Sequence, residues 1–232
     1  NTVDADIVLT NADFPWAVKN LIQEKKAKGK YQDKKIDSMK YASSAFILYF
    51  GMKKKYKTHV HAIRFAKDFK RNIDDLFEYN VPEDPSFYMY SPSQIDPSVA
   101  PKDKELIYVL IPTPSLHKGN HEWDEQWTHT YKHKIIDLIE EIPGFEDFRA
   151  HIEVEHHYTP KDFQDQFNLQ FGSTFGLRPT LSQSVYYRPQ STFKAVKNLY
   201  FTGSSTHPGA GVPIVLMSSK LAVKSIEKDH KL

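Results

Sequence analysis

LYFTGSSTHPGAGVPIVLMSSKL, residues 199–221, is the stretch on which the reading of the fold turns. Leu199-Tyr200-Phe201 is short, apolar and aromatic, which predicts a buried strand. A loop of Gly, Ser and Pro follows through Pro213, and a helix is predicted from Ile214 to about Glu227. Gly203, Gly209 and Gly211 permit positive φ and close backbone approach. Pro213 suits the first turn of a helix, whose free N–H groups and dipole favour a negatively polarised ligand atom. Ser204, Ser205 and Thr206 add hydroxyl groups that donate and accept. Read from physics alone, the segment is a ligand loop or an ordinary turn joining strand to helix. It is not a Walker loop, because no Gly-Lys-Ser/Thr follows, and the chain contains no G-x-G-x-x-G spacing.

The other end of the chain has the same style. Ala5–Thr10 (ADIVLT) predicts a buried strand, Asn11-Ala12-Asp13 supplies turn and cap residues, and Pro15, Trp16, Leu21 and Ile22 continue as a helix. One strand–turn–helix unit cannot bury both its faces, so the two ends are expected to share one α/β domain. The charged run at residues 25–35 marks a boundary, and the expected division is residues 1–24 with 195–232, and 25–194 inserted between them. The insert predicts strands at 44–49, 59–65, 87–90, 106–111 and 151–158. Phe65, Phe69, Ile73 and Phe77 recur at helical spacing, as do Trp123, Trp127, Tyr131, Ile135 and Ile139, the latter stopped by Pro143-Gly144. Thr159-Pro160-Lys161-Asp162 opens a further helix carrying Phe163 and Phe167. Strands and helices in no strict alternation make this insert α+β.

Composition excludes some functions. With 31 basic and 29 acidic residues mixed along the chain, the formal charge is only +2, so a nucleic-acid partner is not expected. The lysine runs at 25–35 and 53–57 read as solvated faces; the second also suits anionic head groups. There is no cysteine, which removes disulfide and thiol chemistry and agrees with a cytosolic setting. No apolar run approaches the ~20 residues of a membrane helix. Aromatic residues make up 13% of the chain, which fits either a dense core or an apolar binding cavity.

Three histidine groupings are candidates for chemistry. His151, Glu153, Glu155 and His157 alternate on one predicted strand, as metal ligands or as a solvated face. His129 and His133 lie one turn apart without the glutamate of a zincin helix, and His59 and His61 flank Val60; both pairs read as surface features. No metal is expected.

The loop Gly203-Ser204-Ser205-Thr206-His207-Pro208-Gly209-Ala210-Gly211-Val212-Pro213 closely resembles the C-terminal signature of bacterial phytoene and dehydrosqualene (diapophytoene) desaturases, in which Ser204 is usually Ala. Residues 5–15 are similar to that family's A-D-x-V-x-x-N-A-D-x-P turn. Residues 91–114 resemble its middle segment through Asp96-Pro97, Ala100-Pro101 and the strand ending in Pro112. Residues 158–188 do so through Thr159-Pro160, Phe171-Gly172, Phe175-Gly176 and Tyr187-Arg188. The branch acting on C30 substrates looks nearest, through residues 212–220. The resemblance implies a flavin amine-oxidase-like fold: part of a Rossmann-like FAD domain from the two chain ends, plus an inserted mixed-sheet substrate domain. It also implies that this chain is the C-terminal portion of the enzyme, without the N-terminal pyrophosphate-binding turn. The implied cofactor is FAD, held by Gly203, Ser204, Ser205, Thr206, Gly209, Gly211, Val212 and Pro213. His207 is expected to pack on the cofactor, and Arg178 and Arg188 are either structural or flavin-facing. The implied reaction is dehydrogenation of an apolar polyene by a cytoplasmic enzyme that touches the membrane surface when full length. A related FAD-dependent oxidase of terminal methyl groups, and a catalytically silent substrate domain, are the alternatives.

Overall fold

The computed structural model describes residues 2–118 and 122–231, and the chain divides into two compact units, residues 1–42 with 163–232 and residues 43–162. The fold is mixed, with a parallel pair of strands in the first unit and an antiparallel sheet in the second.

In the first unit, strand β1 (Val8–Thr10) runs parallel to a strand from the far end of the chain, Leu199–Phe201, with Val8 opposite Leu199 and Thr10 opposite Phe201. Helix α1 (Phe14–Asn20) starts where Asp13 accepts the Trp16 N–H, with Pro15 inside its first turn. Its inner face buries Phe14, Ala17 and Val18 against Phe201, Phe193 and Ile36 of helix α2 (Asp33–Asp37). These contacts explain why the units meet at 42/43 and 162/163, not at the expected 24/25 and 194/195. Ile36 and Phe193 share a core with both chain ends, and Tyr41 bridges to Leu177. The charged run at 25–35 is therefore not a linker. Nor is it wholly solvated: Lys28 is buried, with its ammonium on Asp33 Oδ1 (2.5 Å) and the Lys19 carbonyl (2.9 Å). The sequence also predicted a buried first strand, whereas Val8 and Leu9 are about half exposed.

The second unit is built on a five-stranded sheet. Its strands are β2 (Ser44–Met52), β3 (His61–Arg64), β4 (Phe87–Tyr90), β5 (Glu105–Thr113) and β6 (Ile152–Tyr158), in the order β3-β4-β5-β2-β6 with every pair antiparallel. The period-two alternation of β2 and β5 puts Phe46, Leu48, Phe50, Ile107, Val109 and Ile111 on one face. Helix α4 (Glu125–Glu140) covers that face with Tyr131, Ile135, Ile136 and Ile139, as its helical spacing predicts. Helix α3 (Phe69–Phe77) departs from the pattern. Its buried residue is Asn72, whose Oδ1 accepts the Ser86 N–H (3.2 Å), while Phe65, Phe69 and Phe77 stay half exposed or more. The chain leaves this unit through helix α5 (Pro160–Phe167), opened by a reciprocal cap between Thr159 and Asp162. Strand β7 (Leu199–Phe201) and helix α6 (Val212–His230) close the first unit, the helix two residues longer at its start than the sequence suggested.

Glu105, 1% exposed, has no cation partner among the described residues and is satisfied by donors from Tyr56 N (2.7 Å), Gln94 Nε2 (2.6 Å) and Ser93 Oγ (3.2 Å). Glu105→Leu leaves those donors unpaired, and a loss of about 2–3 kcal/mol in urea unfolding is expected. Glu105→Gln, which keeps an acceptor, is expected to lose less than half as much.

Candidate active site

The loop between β7 and α6 is fixed by its surroundings more than by its own turns. Gly203 N–H donates to Ser218 Oγ (2.9 Å), and Thr206 Oγ1 donates back to the Gly203 carbonyl (2.9 Å). Ser205 Oγ donates to Asp13 Oδ1 (2.6 Å) and accepts the Phe14 N–H (3.0 Å). Asp13 thus joins the first helix start to the last loop, and it also accepts the Gln170 N–H (3.1 Å). Beneath the loop lies Arg188, 2% exposed. Its guanidinium donates to three carbonyls: Ser204 (2.6 Å), Thr206 (2.9 Å) and Leu177 (3.0 Å). Burial lowers the Arg188 pKa from its ordinary value, which still leaves a cation under the loop.

All eight loop residues singled out in the sequence lie in this one segment, but they divide. Ser205 and Thr206 are buried and spend their hydroxyls inward, so they hold the loop's shape. The open part is Gly211, Val212 and Pro213, whereas Gly209 is buried against Arg188. Gly209 and Gly211 adopt φ of 143° and 102°, which L side chains rarely take. A Cβ on Gly209 would lie 3.7 Å from the Arg188 guanidinium carbon, whereas one on Gly211 would meet nothing within 4 Å. Among the described residues the N–H groups of Val212 and Ile214 have no acceptor; the first helical bond is Val215 N–H to the Gly211 carbonyl (2.8 Å). His207 Nδ1 is buried and has no partner. The start of α6 therefore offers free amides, a dipole's positive end and space, and the same loop carries an unsatisfied imidazole nitrogen.

The second unit carries a different kind of surface, on the sheet face that α4 does not cover. Its strand registers place His61, Tyr90, Tyr108, Tyr49 and His156 directly opposite one another, one from each strand in sheet order. A neighbouring row reads Ile63, Tyr88, Leu110, Ile47 and Tyr158. Across five strands spaced ~4.8 Å apart, each row is about 19 Å long. The rings touch: His61 stacks on Tyr90 at 5.0 Å, and Tyr49 meets Tyr108 at 5.3 Å and Tyr158 at 6.3 Å. Burial pushes the Tyr108 hydroxyl up to about 12 and raises Tyr49 as well, so these phenols stay neutral. The sequence reading missed this face. Its signal was Tyr49 in β2, Tyr88 and Tyr90 in β4 and Tyr108 in β5, each between residues that face the core.

The acidic strand is ordinary. Glu153 pairs with Lys104 and Glu155 with Lys132, and among the described residues no group of three or more His, Asp or Glu is placed to hold a metal ion. His129 and His133 touch each other at 3.0 Å, and His133 also meets Arg149 at 2.5 Å. No helix among the described residues is long and apolar enough to cross a membrane.

Two outcomes follow from the loop's supports. Arg188→Met strands three buried carbonyls and is expected to cost about 3 kcal/mol in denaturant unfolding, with faster amide exchange at residues 204–206. Asp13 has its pKa raised by burial, against hydrogen bonds from Ser205, Gln170 and Trp16 that lower it. A raised acid contributes stability that is complete below its unfolded value near ~3.9 and is lost as pH rises through the folded value. Asp13→Asn is expected to remove that slope from the pH–stability curve, and carboxyl-carbon NMR of the parent should show Asp13 titrating above ordinary aspartates.

No family model matches the chain. Over 227 residues, 97% of its length, it is 44% identical to a 4,4'-diapophytoene desaturase (4,4'-diaponeurosporene-forming) of Staphylococcus haemolyticus strain JCSC1435, covering 45% of that protein. It is equally identical over 228 residues to the protein of the same name from Staphylococcus aureus strain bovine RF122 / ET3-1, again covering 45%. Among solved structures, an oxidoreductase from Methanosarcina mazei superposes on 97% of this chain and 43% of its own with a TM-score of 0.52 at 14% identity, a likeness of fold. By sequence the chain is similar to these two proteins along nearly its whole length, and it spans 45% of theirs.

Proposed function

We propose that the chain is the C-terminal portion of an FAD-dependent desaturase acting on a linear C30 or C40 carotenoid precursor such as dehydrosqualene or phytoene. The observation that carries this reading is the start of α6, where Gly211, at φ 102°, leaves open space in front of unpaired main-chain amides. That arrangement fits an electron-rich planar ring approaching the backbone edge-on, and the buried, unpartnered His207 nitrogen fits an atom supplied by a ligand. Gly211, Val212 and Pro213 would form the contact, with Gly203, Ser204, Ser205, Thr206 and Gly209 shaping the loop behind them. When bound, a flavin would supply the two-electron acceptor for removal of hydrogen across a C–C bond. The chain's own residues set position and electrostatics: the α6 amides and the Arg188 cation favour negative charge at the loop.

A hydrocarbon polyene has no polar handle, so its recognition rests on buried apolar area at roughly 25 cal/mol per Å². The uncovered face of the five-stranded sheet fits that demand. Its ring-lined rows are long and contain no lysine, arginine or carboxylate. The unit holding the loop also fits a larger domain. Val8 and Leu9 of β1 and Val212, Leu216 and Met217 of α6 are all about half exposed or more, as expected of elements that pack against further strands and helices. The chain has no G-x-G-x-x-G spacing, so the pyrophosphate contact belongs to another part of the complete protein, and these 232 residues alone are expected to be inactive. Because the substrate dissolves in bilayers, the complete enzyme should work at a membrane surface.

The test uses the complete polypeptide loaded with FAD and supplied with dehydrosqualene. Long-wavelength polyene bands are expected, without incorporated oxygen; an oxygenated product would instead mark the terminal-methyl oxidase. Gly211→Val forces a β-branched residue to φ near 100°, a strain of order 1–3 kcal/mol, and should reduce FAD affinity about tenfold or more. Tyr49→Ala with Tyr108→Ala should raise KM for the polyene while leaving FAD affinity unchanged. Unaltered FAD binding in Gly211→Val would remove the loop from the cofactor site.

A further inference from the structure

A cavity in the first unit shares no lining residue with the loop at 203–213. Its volume is about 410 Å3, within the range of small-molecule sites. Four aromatic residues line it, Phe14, Tyr31, Phe193 and Tyr186, together with Lys28, Lys30 and Lys194. No carboxylate is among its lining residues. This bias is notable in a chain whose charges are otherwise balanced.

The floor is rigid. Phe14 meets Tyr31 edge-on at 4.8 Å, and Tyr31 stacks near-parallel on Phe193 at 6.2 Å. One wall is set by Gly29, at φ 55°, where an added Cβ would lie 2.8 Å from the Ala195 Cβ, so only glycine lets the two walls approach this closely. Lys28 is internally neutralised by Asp33 and belongs to the wall. Lys30 and Lys194 are different: both are exposed, and neither makes an ion pair among the described residues. The Lys30 ammonium rests over the Tyr31 ring, 5.1 Å from its centroid, so a ligand ring stacking on Tyr31 takes its place and leaves that ammonium for the ligand's anionic group.

We propose that this cavity binds a small planar aromatic anion of the mononucleotide type, its ring against the Tyr31–Phe193 floor and its phosphate on Lys30 and Lys194. Stacking supplies affinity for the ring without demanding a particular base. Two unpaired lysines supply affinity for the phosphate, and the missing carboxylates remove the repulsion that an anion would meet elsewhere on this surface. A simple anion would not use the aromatic floor, and a neutral ring would not use the lysines. The site is independent of the flavin reading, because none of its residues belongs to the loop at 203–213.

The test is calorimetric titration of the complete polypeptide, saturated with FAD, with adenosine monophosphate, adenosine and inorganic phosphate. Saturable binding of the monophosphate is expected, with adenosine and phosphate each at least several-fold weaker. Lys30→Ala with Lys194→Ala should weaken the monophosphate about fivefold, in keeping with two solvent-exposed charge contacts. Tyr31→Leu should weaken it as well, while Gly211→Val should not. Circular dichroism confirms that each variant is folded. Absence of saturable binding, binding untouched by the double lysine variant, adenosine as tight as its monophosphate, or loss in Gly211→Val instead would each overturn the proposal.

Discussion

A guanidinium buried without a carboxylate is tolerable only where carbonyl oxygens take its protons. Arg188 meets that condition by gathering three of them, two from the loop at 203–213 and one from Leu177. The same contact serves both partners. The carbonyls need donors because the loop turns inward at Ser204–Thr206, and the loop can turn inward because the donors are there. With Ser205 latched to Asp13 on the opposite side, the segment before α6 has little freedom left, and the amides at the helix start are pre-set in space. Everything proposed for this chain's chemistry rests on that rigidity, since a flexible glycine loop would have to be ordered at the moment of binding.

Much of the arrangement was legible beforehand. The strand–loop–helix at 199–221, the partnership of the two chain ends, the sheet in the middle and the α4 core face all followed from periodicity, glycine and proline. What was not legible depended on distant contacts. The charged run at 25–35 read as a boundary because charge usually means solvent. Yet Ile36 just beyond it is fully buried with Phe14, and Lys28 inside it is sequestered by Asp33. The roles of Arg188 and Asp13 were likewise hidden, because their partners lie 11–18 and 192 residues away in sequence. The α3 stripe illustrates the reverse error: Phe65, Phe69 and Phe77 have helical spacing but do not enter the unit's core, which is filled from β2, β5 and α4.

The aromatic rows show what register adds to pattern. Alternating tyrosines in separate strands have no evident relation in the sequence, and only the antiparallel pairing brings His61, Tyr90, Tyr108, Tyr49 and His156 onto one line. A one-residue slip in any strand would send its ring into the core and an aliphatic side chain out. The face is therefore specified by the same constraint that packs the opposite side. A surface built this way suits a long apolar molecule better than a compact polar one.

The proposed flavin site requires the main chain at the start of α6 to lie against the isoalloxazine, and a crystal structure of the complete polypeptide with FAD bound decides this. The Val212 or Ile214 amide is expected within hydrogen-bonding distance of the ring, with Arg188 still on its three carbonyls. A flavin bound elsewhere, with those amides facing only solvent, would contradict it.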